Sequence, residues 1–257
     1  MPTPVEHLVV AEQILTSPHF PETVRTRLTE NGRVLGAFVF GHIAPDVQVV
    51  SGQPREATHF YTLPPNNCCP AYERMLTAHP RLARPSTLPA AHAAFLSGYM
   101  AHILLDELWV RQIFPLFGPT QKWGDWRERL LLHNVLRAWL DRQGLPHLRR
   151  DISALLRQAQ PDGWLPFAID ADLCRWRDVV ADQFEPGATI RTVEIFAKRA
   201  HIPDSEFAAL LKPHVLEARV FRHISPAALE EFHARAAVRT HDLIMHYLDG
   251  CVIGKSE

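Results

Sequence analysis

Cysteine is scarce in this chain, with four in 257 residues. Cys68, Cys69, Cys174 and Cys251 show no paired ligand spacing, and two of them are adjacent. That pattern excludes a disulfide framework and a thiolate zinc knuckle, and reduced thiols are expected. Excess charge is also missing: Lys and Arg total 27 against 28 Asp and Glu. No overall field draws such a chain to polyanions, so no stable nucleic-acid complex is expected. No apolar run approaches the roughly 20 residues of a membrane span. The opening MPTPVEHLVV has no basic region followed by a long apolar stretch, so neither a leader nor a transmembrane segment is expected, and the location implied is cytoplasmic. Strand-like alternation is missing too. Val47-Gln48-Val49-Val50 is the nearest approach to it and is too short to set the class.

What the chain does have is 47% apolar residues, enough for a full core, and repeated helix signals. Thr3-Pro4-Val5-Glu6 reads as a capping box with proline at the first helical position, starting a helix that runs to about Ser17. A second short helix should end near Asn31-Gly32, and Arg33 to Gly41 reads as a buried apolar segment. Pro89 to about Phe114 carries a long helix stopped by Pro115. Further helices are expected from about Arg127 to Arg142, Ile152 to Gln158, Leu173 to Phe184, Ile190 to Arg199 and Ser205 to Leu211, with a last one from Ser225-Pro226 to Leu248. The fold class is therefore all-α. One helical domain over 1–257 is expected, with any ligand-bearing positions in 1–142 and additional helices in 143–257.

Histidine is abundant, 15 in all, which weakens any argument from one of them. Position relative to other ligands is what singles out His7, Asp46, His59, His102 and Asp106. His102 and Asp106 stand four apart on the long helix, one turn above each other on one face. Imidazole and carboxylate without thiolate suit a hydrolytic zinc or related divalent centre. His7 shares helical spacing with Ala11 and Ile14, which turns it inward. Asp46 follows Pro45 on a loop leaving a buried element, and His59 is expected on a loop or helix edge. Gly98, one turn before His102, costs the helix about 1 kcal/mol relative to alanine. Close approach of another segment would compensate for it.

The ordered set His7, Gly41-His42-Ile43-Ala44-Pro45-Asp46, Thr58-His59-Phe60-Tyr61 and Gly98-Tyr99-Met100-Ala101-His102-Ile103-Leu104-Leu105-Asp106 resembles the zinc-dependent phospholipase C family, which shares its helical fold with P1-type nucleases. The resemblance covers the first half of the chain. It implies a multi-helix bundle of that kind, in which Asp46, His59, His102 and Asp106 hold one zinc ion and His7 holds a second, with Asp106 as bridge. It further implies hydrolysis of a phosphodiester, either a small molecule or a phospholipid headgroup, with Asp46 as ligand or general base. Two departures remove a third ion: Gln112 stands where the family has a histidine, and Arg137 where it has a glutamate after His133. Asp141 and Glu107 are carboxylates that helix pairing can bring into range. Arg137, or else Arg111, is expected to supply catalytic positive charge in place of that ion. A non-catalytic binding scaffold of the same ancestry is the alternative. The aromatic group Trp109, Phe114, Phe117, Trp123 and Trp126 reads either as core or as a lipid-facing rim. Thr240-His241-Asp242 carries the pair of the HD phosphohydrolases, without room for the aspartate that class needs farther on.

Overall fold

The computed structural model describes residues 1–65 and 69–250, so Cys68 and Cys251 lie outside the described residues. Fourteen α-helices and short 3-10 turns make up its regular structure, with no strand among the described residues. The helices are α1 (Pro4–Thr16), α2 (Glu22–Leu28), α3 (Gly32–Gly41), α4 (Gln48–Ser51), α5 (Arg55–His59), α6 (Ala71–Ala78) and α7 (Ala90–Gln112), then α8 (Trp126–Gly144), α9 (Ile152–Gln158), α10 (Asp170–Ala181), α11 (Thr192–Ala200), α12 (Asp204–Leu210), α13 (Pro213–Arg219) and α14 (Pro226–Leu248). The all-α expectation holds. The stretch nearest to a strand, Val47 to Val50, is helical, because a 3-10 turn over Ala44–Val47 runs directly into α4.

Local signals explain most boundaries. The Thr3 hydroxyl accepts from Glu6 N–H and Pro4 opens α1. The other half of the expected capping box is diverted, since the Glu6 carboxylate meets His233 Nε2 at 2.7 Å. Asn31 is not the end of a helix but the cap of the next one, accepting from Val34 N–H at 3.0 Å. The apolar segment after it is therefore α3. Asp125 caps α8 and Ser225 caps α14 in the same way. Helices α6 and α13 were not legible in the sequence; α6 follows Pro70, α13 opens on Pro213, and each is only two turns long.

Helix α7 is the axis of the molecule, buried from Ala91 to Val110. An all-round apolar helix of this kind needs neighbours on every side. Helices α3, α6 and α14 supply them. The crossing with α3 is unusually close: a Cβ on Gly98 would lie 2.3 Å from the Phe38 carbonyl oxygen, and one on Gly41 would lie 2.1 Å from that of Phe95. Two glycines facing each other let backbone touch backbone. This is the close approach that Gly98 required. The apolar interior then extends without a break from Leu8 to Leu248. The second half of the chain supports the first. Trp176 on α10 donates its indole N–H to the Ile43 carbonyl at 2.7 Å, holding the turn that carries Asp46. No single described helix is long and apolar enough to cross a membrane; α3 together with Ala44–Ser51 reaches that composition only as a pair bent by 67°.

Asp141, on α8, joins three helices. Its carboxylate accepts from the Thr3 hydroxyl at the start of α1 and from the Thr192 hydroxyl at the start of α11. Burial raises its pKa to about 7, against the two hydroxyl bonds, which lower it. A carboxyl raised from about 4 in the unfolded chain to about 7 in the folded one keeps a proton that the unfolded chain loses, so its contribution to stability is full below about pH 4 and is lost as pH rises to about 7. The slope is at most about 1.4 kcal/mol per pH unit. In Asp141→Asn this dependence is expected to disappear. The melting temperature of the variant relative to the parent should rise between pH 5 and 8, and parallel curves over that range would refute the assignment.

Candidate metal centre

Four elements carry the five ligand-type residues to one place. His7 comes from α1, Asp46 from the 3-10 turn after α3, His59 from the last position of α5, and His102 and Asp106 from α7. Asp106 is the hub. Its Oδ1 lies 3.3 Å from His7 Nε2, and its Oδ2 lies 3.4 Å from His59 Nε2 and 3.6 Å from His102 Nε2. His59 Nε2 is also 3.6 Å from Asp46 Oδ1. Two groups result, His7 with His102 and Asp106, and Asp46 with His59 and His102, and within each the donor atoms lie within 4.8 Å of one another.

Backbone and hydroxyl contacts aim these rings. The His42 carbonyl lies 2.7 Å from His102 Nδ1. A carbonyl only accepts, so Nδ1 carries the hydrogen and Nε2 is the nitrogen left to face Asp106 and its neighbours. The Gly41–Gly98 contact brings that carbonyl within reach. His59 Nδ1 is 2.9 Å from the Thr58 hydroxyl, which donates to the Arg55 carbonyl at 3.2 Å. Thr58 is fixed in turn by Tyr99, whose hydroxyl donates to its carbonyl. Histidines held through one nitrogen, with the other nitrogen free toward a shared carboxylate, are the arrangement that metal-ligating imidazoles adopt.

The electrostatics follow from crowding without water. The rings of His7 and His102 stack at 3.6 Å, nearly parallel, so both cannot be cations. Burial and the neighbouring His102 lower His7 to about 4. Burial also works against a charged His102, but the Asp106 carboxylate outweighs it and raises its pKa. Burial opposes ionisation of Asp106, yet the His102, His59 and His7 contacts hold it well below the usual carboxylate range. Asp46 is likewise kept ionised by its contact with His59 and by His102, against the effect of burial. It is the most open of the five, with a side chain 20% exposed. Gln48 donates to its Oδ1 at 3.2 Å.

The residues fit a cation. His7 Nε2, His59 Nε2, His102 Nε2 and Asp106 Oδ1 are all buried and lack hydrogen-bond partners. Unpaired buried donors and acceptors are costly unless something satisfies them. Separations of 3.3–3.6 Å between neighbouring atoms approach the roughly 3.3 Å edge of a tetrahedron with zinc bonds near 2.0 Å.

Sequence reasoning missed Arg55. Its guanidinium binds Asp106 Oδ2, donates to the Tyr61 hydroxyl at 2.7 Å and stands over the Tyr61 ring. No spacing rule links it to a residue 51 positions away. The residues considered for a third ion are placed elsewhere. Gln112 is exposed at the end of α7, and Glu107 accepts from Ala71 N–H and pairs with Arg111 at 2.8 Å. Arg111 is thus engaged by a carboxylate of its own helix. Arg137 is not among the five-residue cluster either; it lines a neighbouring cavity, close enough to Asp106 to feel its charge. Trp109 and Phe117 belong to the core, Phe114 and Trp123 pack against it, and Trp126 alone of that aromatic group is exposed. No family model, curated protein or solved structure matches this chain.

Proposed function

We propose that Asp46, His59, His102 and Asp106 hold a zinc ion, that His7 and the second oxygen of Asp106 hold another, and that the centre hydrolyses a phosphodiester. The observation that carries this reading is the set of buried imidazole nitrogens without hydrogen-bond partners around one ionised carboxylate. Such ions, when bound, supply Lewis acidity toward a phosphoryl oxygen and acidify water near neutral pH. The chain's own groups do the rest. Asp46, ionised and on the open side, is placed to take a proton from an attacking water. Asp106 neutralises the charge gathered by three imidazoles. The His42 carbonyl and Thr58 keep the rings from turning away. The resemblance in motif order to zinc-dependent phospholipase C supports the phosphodiester as substrate, as a small molecule or a phospholipid headgroup.

The test is metal content followed by turnover. Purified protein should carry about two zinc ions per chain, one at each proposed position, and His102→Ala should lose at least one. After chelation, zinc at about 100 times its Kd should add about 2.7 kcal/mol of stability. An unchanged melting temperature with added zinc sinks the reading. With a synthetic phosphodiester, Asp46→Asn should lower the rate by a factor of about 10² to 10⁴, more than it lowers zinc content.

A second reading has one observation in its favour: Arg55 already neutralises Asp106, through the oxygen that faces His59 and His102. The centre would then be a metal-free polar core in a binding scaffold. Arg55→Gln separates the two. A metal centre keeps its zinc in this variant, whereas a metal-free core loses stability that zinc does not restore.

A further inference from the structure

A cavity of about 860 Å³ lies beside the centre, between α8, the end of α11 and the C-terminal part of α7, and its wall includes His133, Asn134, Arg137 and Arg199. His133 is buried, and the Trp109 indole donates to its Nε2 at 2.9 Å. An indole only donates, so Nε2 holds the lone pair and Nδ1 carries the hydrogen. Burial keeps this ring neutral, lowering its pKa well below the usual value. His133 Nδ1 and Arg137 Nε are buried and have no hydrogen-bond partner. Both are donors.

Two cations meet here as well. The guanidinium carbons of Arg137 and Arg199 stand 4.5 and 5.8 Å from the centre of the same ring, Phe196. Arg199 is exposed at the mouth and makes no ion pair among the described residues. Burial and the charge of Arg199 lower Arg137 to about 10, against the pull of Asp141. The two acids on this wall are already engaged: Asp125 caps α8 and Glu128 pairs with Arg219 at 2.8 Å. Arg127 and His201 also line the cavity, and the other lining residues are apolar, among them Phe114, Leu131 and the exposed Leu63, Trp126 and Leu130. Unsatisfied donors, three arginines and two carboxylates that already have partners, facing an apolar rim, define a site for an anion attached to an apolar body.

We infer that this cavity is an oxyanion subsite, in which Arg137, Arg199 and the His133 Nδ1–H bind the phosphate of a phosphoester while Trp126 and Leu130 cover its apolar substituent. The inference rests on the phosphodiester reading, whose ester it would hold beside the metal centre, and it assigns the phosphate to arginine where a third ion is not available.

The experiment is calorimetric titration of the full chain with phenyl phosphate, inorganic phosphate and phenol. Phenyl phosphate should bind, inorganic phosphate should bind at least several-fold more weakly, and phenol should not bind. Arg137→Gln and Arg199→Gln should each weaken phenyl phosphate about tenfold or more, the scale of a hydrogen bond to a charged group. His102→Ala should weaken it much less. Arg199 is exposed, so its variant folds even if Arg137→Gln does not. Absence of phenyl phosphate binding, binding unmoved in Arg199→Gln, or loss of binding only in His102→Ala overturns the subsite. Arginine-dependent binding in a protein that takes up no zinc would leave the subsite standing and remove the metal reading.

Discussion

Asp106→Asn is expected to cost the metal-free protein about 3–5 kcal/mol, the range found when one partner of a buried ion pair is removed. The substitution keeps the shape of the side chain and removes only its charge. Arg55, whose side chain is 16% exposed, would then keep the Tyr61 hydroxyl and ring but no counter-ion. The His7, His59 and His102 nitrogens would face a neutral amide in place of the carboxylate that attracts them. Zinc should be lost from both proposed positions together, since the two oxygens of this one carboxylate serve both. Urea denaturation of chelated protein measures the first effect and mass spectrometry of the native protein the second. Unchanged stability would mean that the Arg55 contact contributes nothing. Full zinc content would mean that Asp106 is no ligand.

Gly98→Ala should destabilise the protein by about 2 kcal/mol, although alanine is the better helix former. Helix propensity alone favours the substitution by about 1 kcal/mol. Against this, the new Cβ would meet the Phe38 carbonyl oxygen at 2.3 Å, His42 N at 3.0 Å and Gly41 Cα at 3.1 Å. All three are backbone atoms, so no side chain can swing aside and α3 itself must move. Overpacking typically costs about 1–3 kcal/mol, and a contact this short with backbone belongs at the upper end, which leaves a net loss of about 2 kcal/mol after the propensity gain. The same movement draws the His42 carbonyl away from His102 Nδ1. Loss of such a supporting contact lowers metal affinity by about 10 to 100-fold. Thermal melts and zinc titration of the variant test both effects. Equal or higher stability with unaltered zinc affinity would show that the α3–α7 contact has slack.

Much of the scaffold was legible because its signals are local. The Thr3 cap, Pro115 as a stop and the Ser225-Pro226 start act within one turn of helix, where side chain and backbone are bound to meet. The His102–Asp106 pair was legible for the same reason, since four residues of helix fix their separation. Gly98 announced a close contact without naming its partner. Other features escaped because their signals were short or ambiguous. Asparagine serves at either end of a helix, so Asn31 reads as an end although it opens α3, and an apolar run such as 33–41 has no polar face from which to read a period.

The sequence by itself determined the all-α class, the central helix and the types of ligand available. Only the tertiary structure decided that Arg55 would lie on Asp106, that the His42 carbonyl would fix the His102 tautomer, and that Arg137 would face a cavity rather than join the five ligands. Each of these joins residues dozens of positions apart. Such contacts depend on how closely helices cross, and that is set by packing between helices, not by the spacing of residues along one of them.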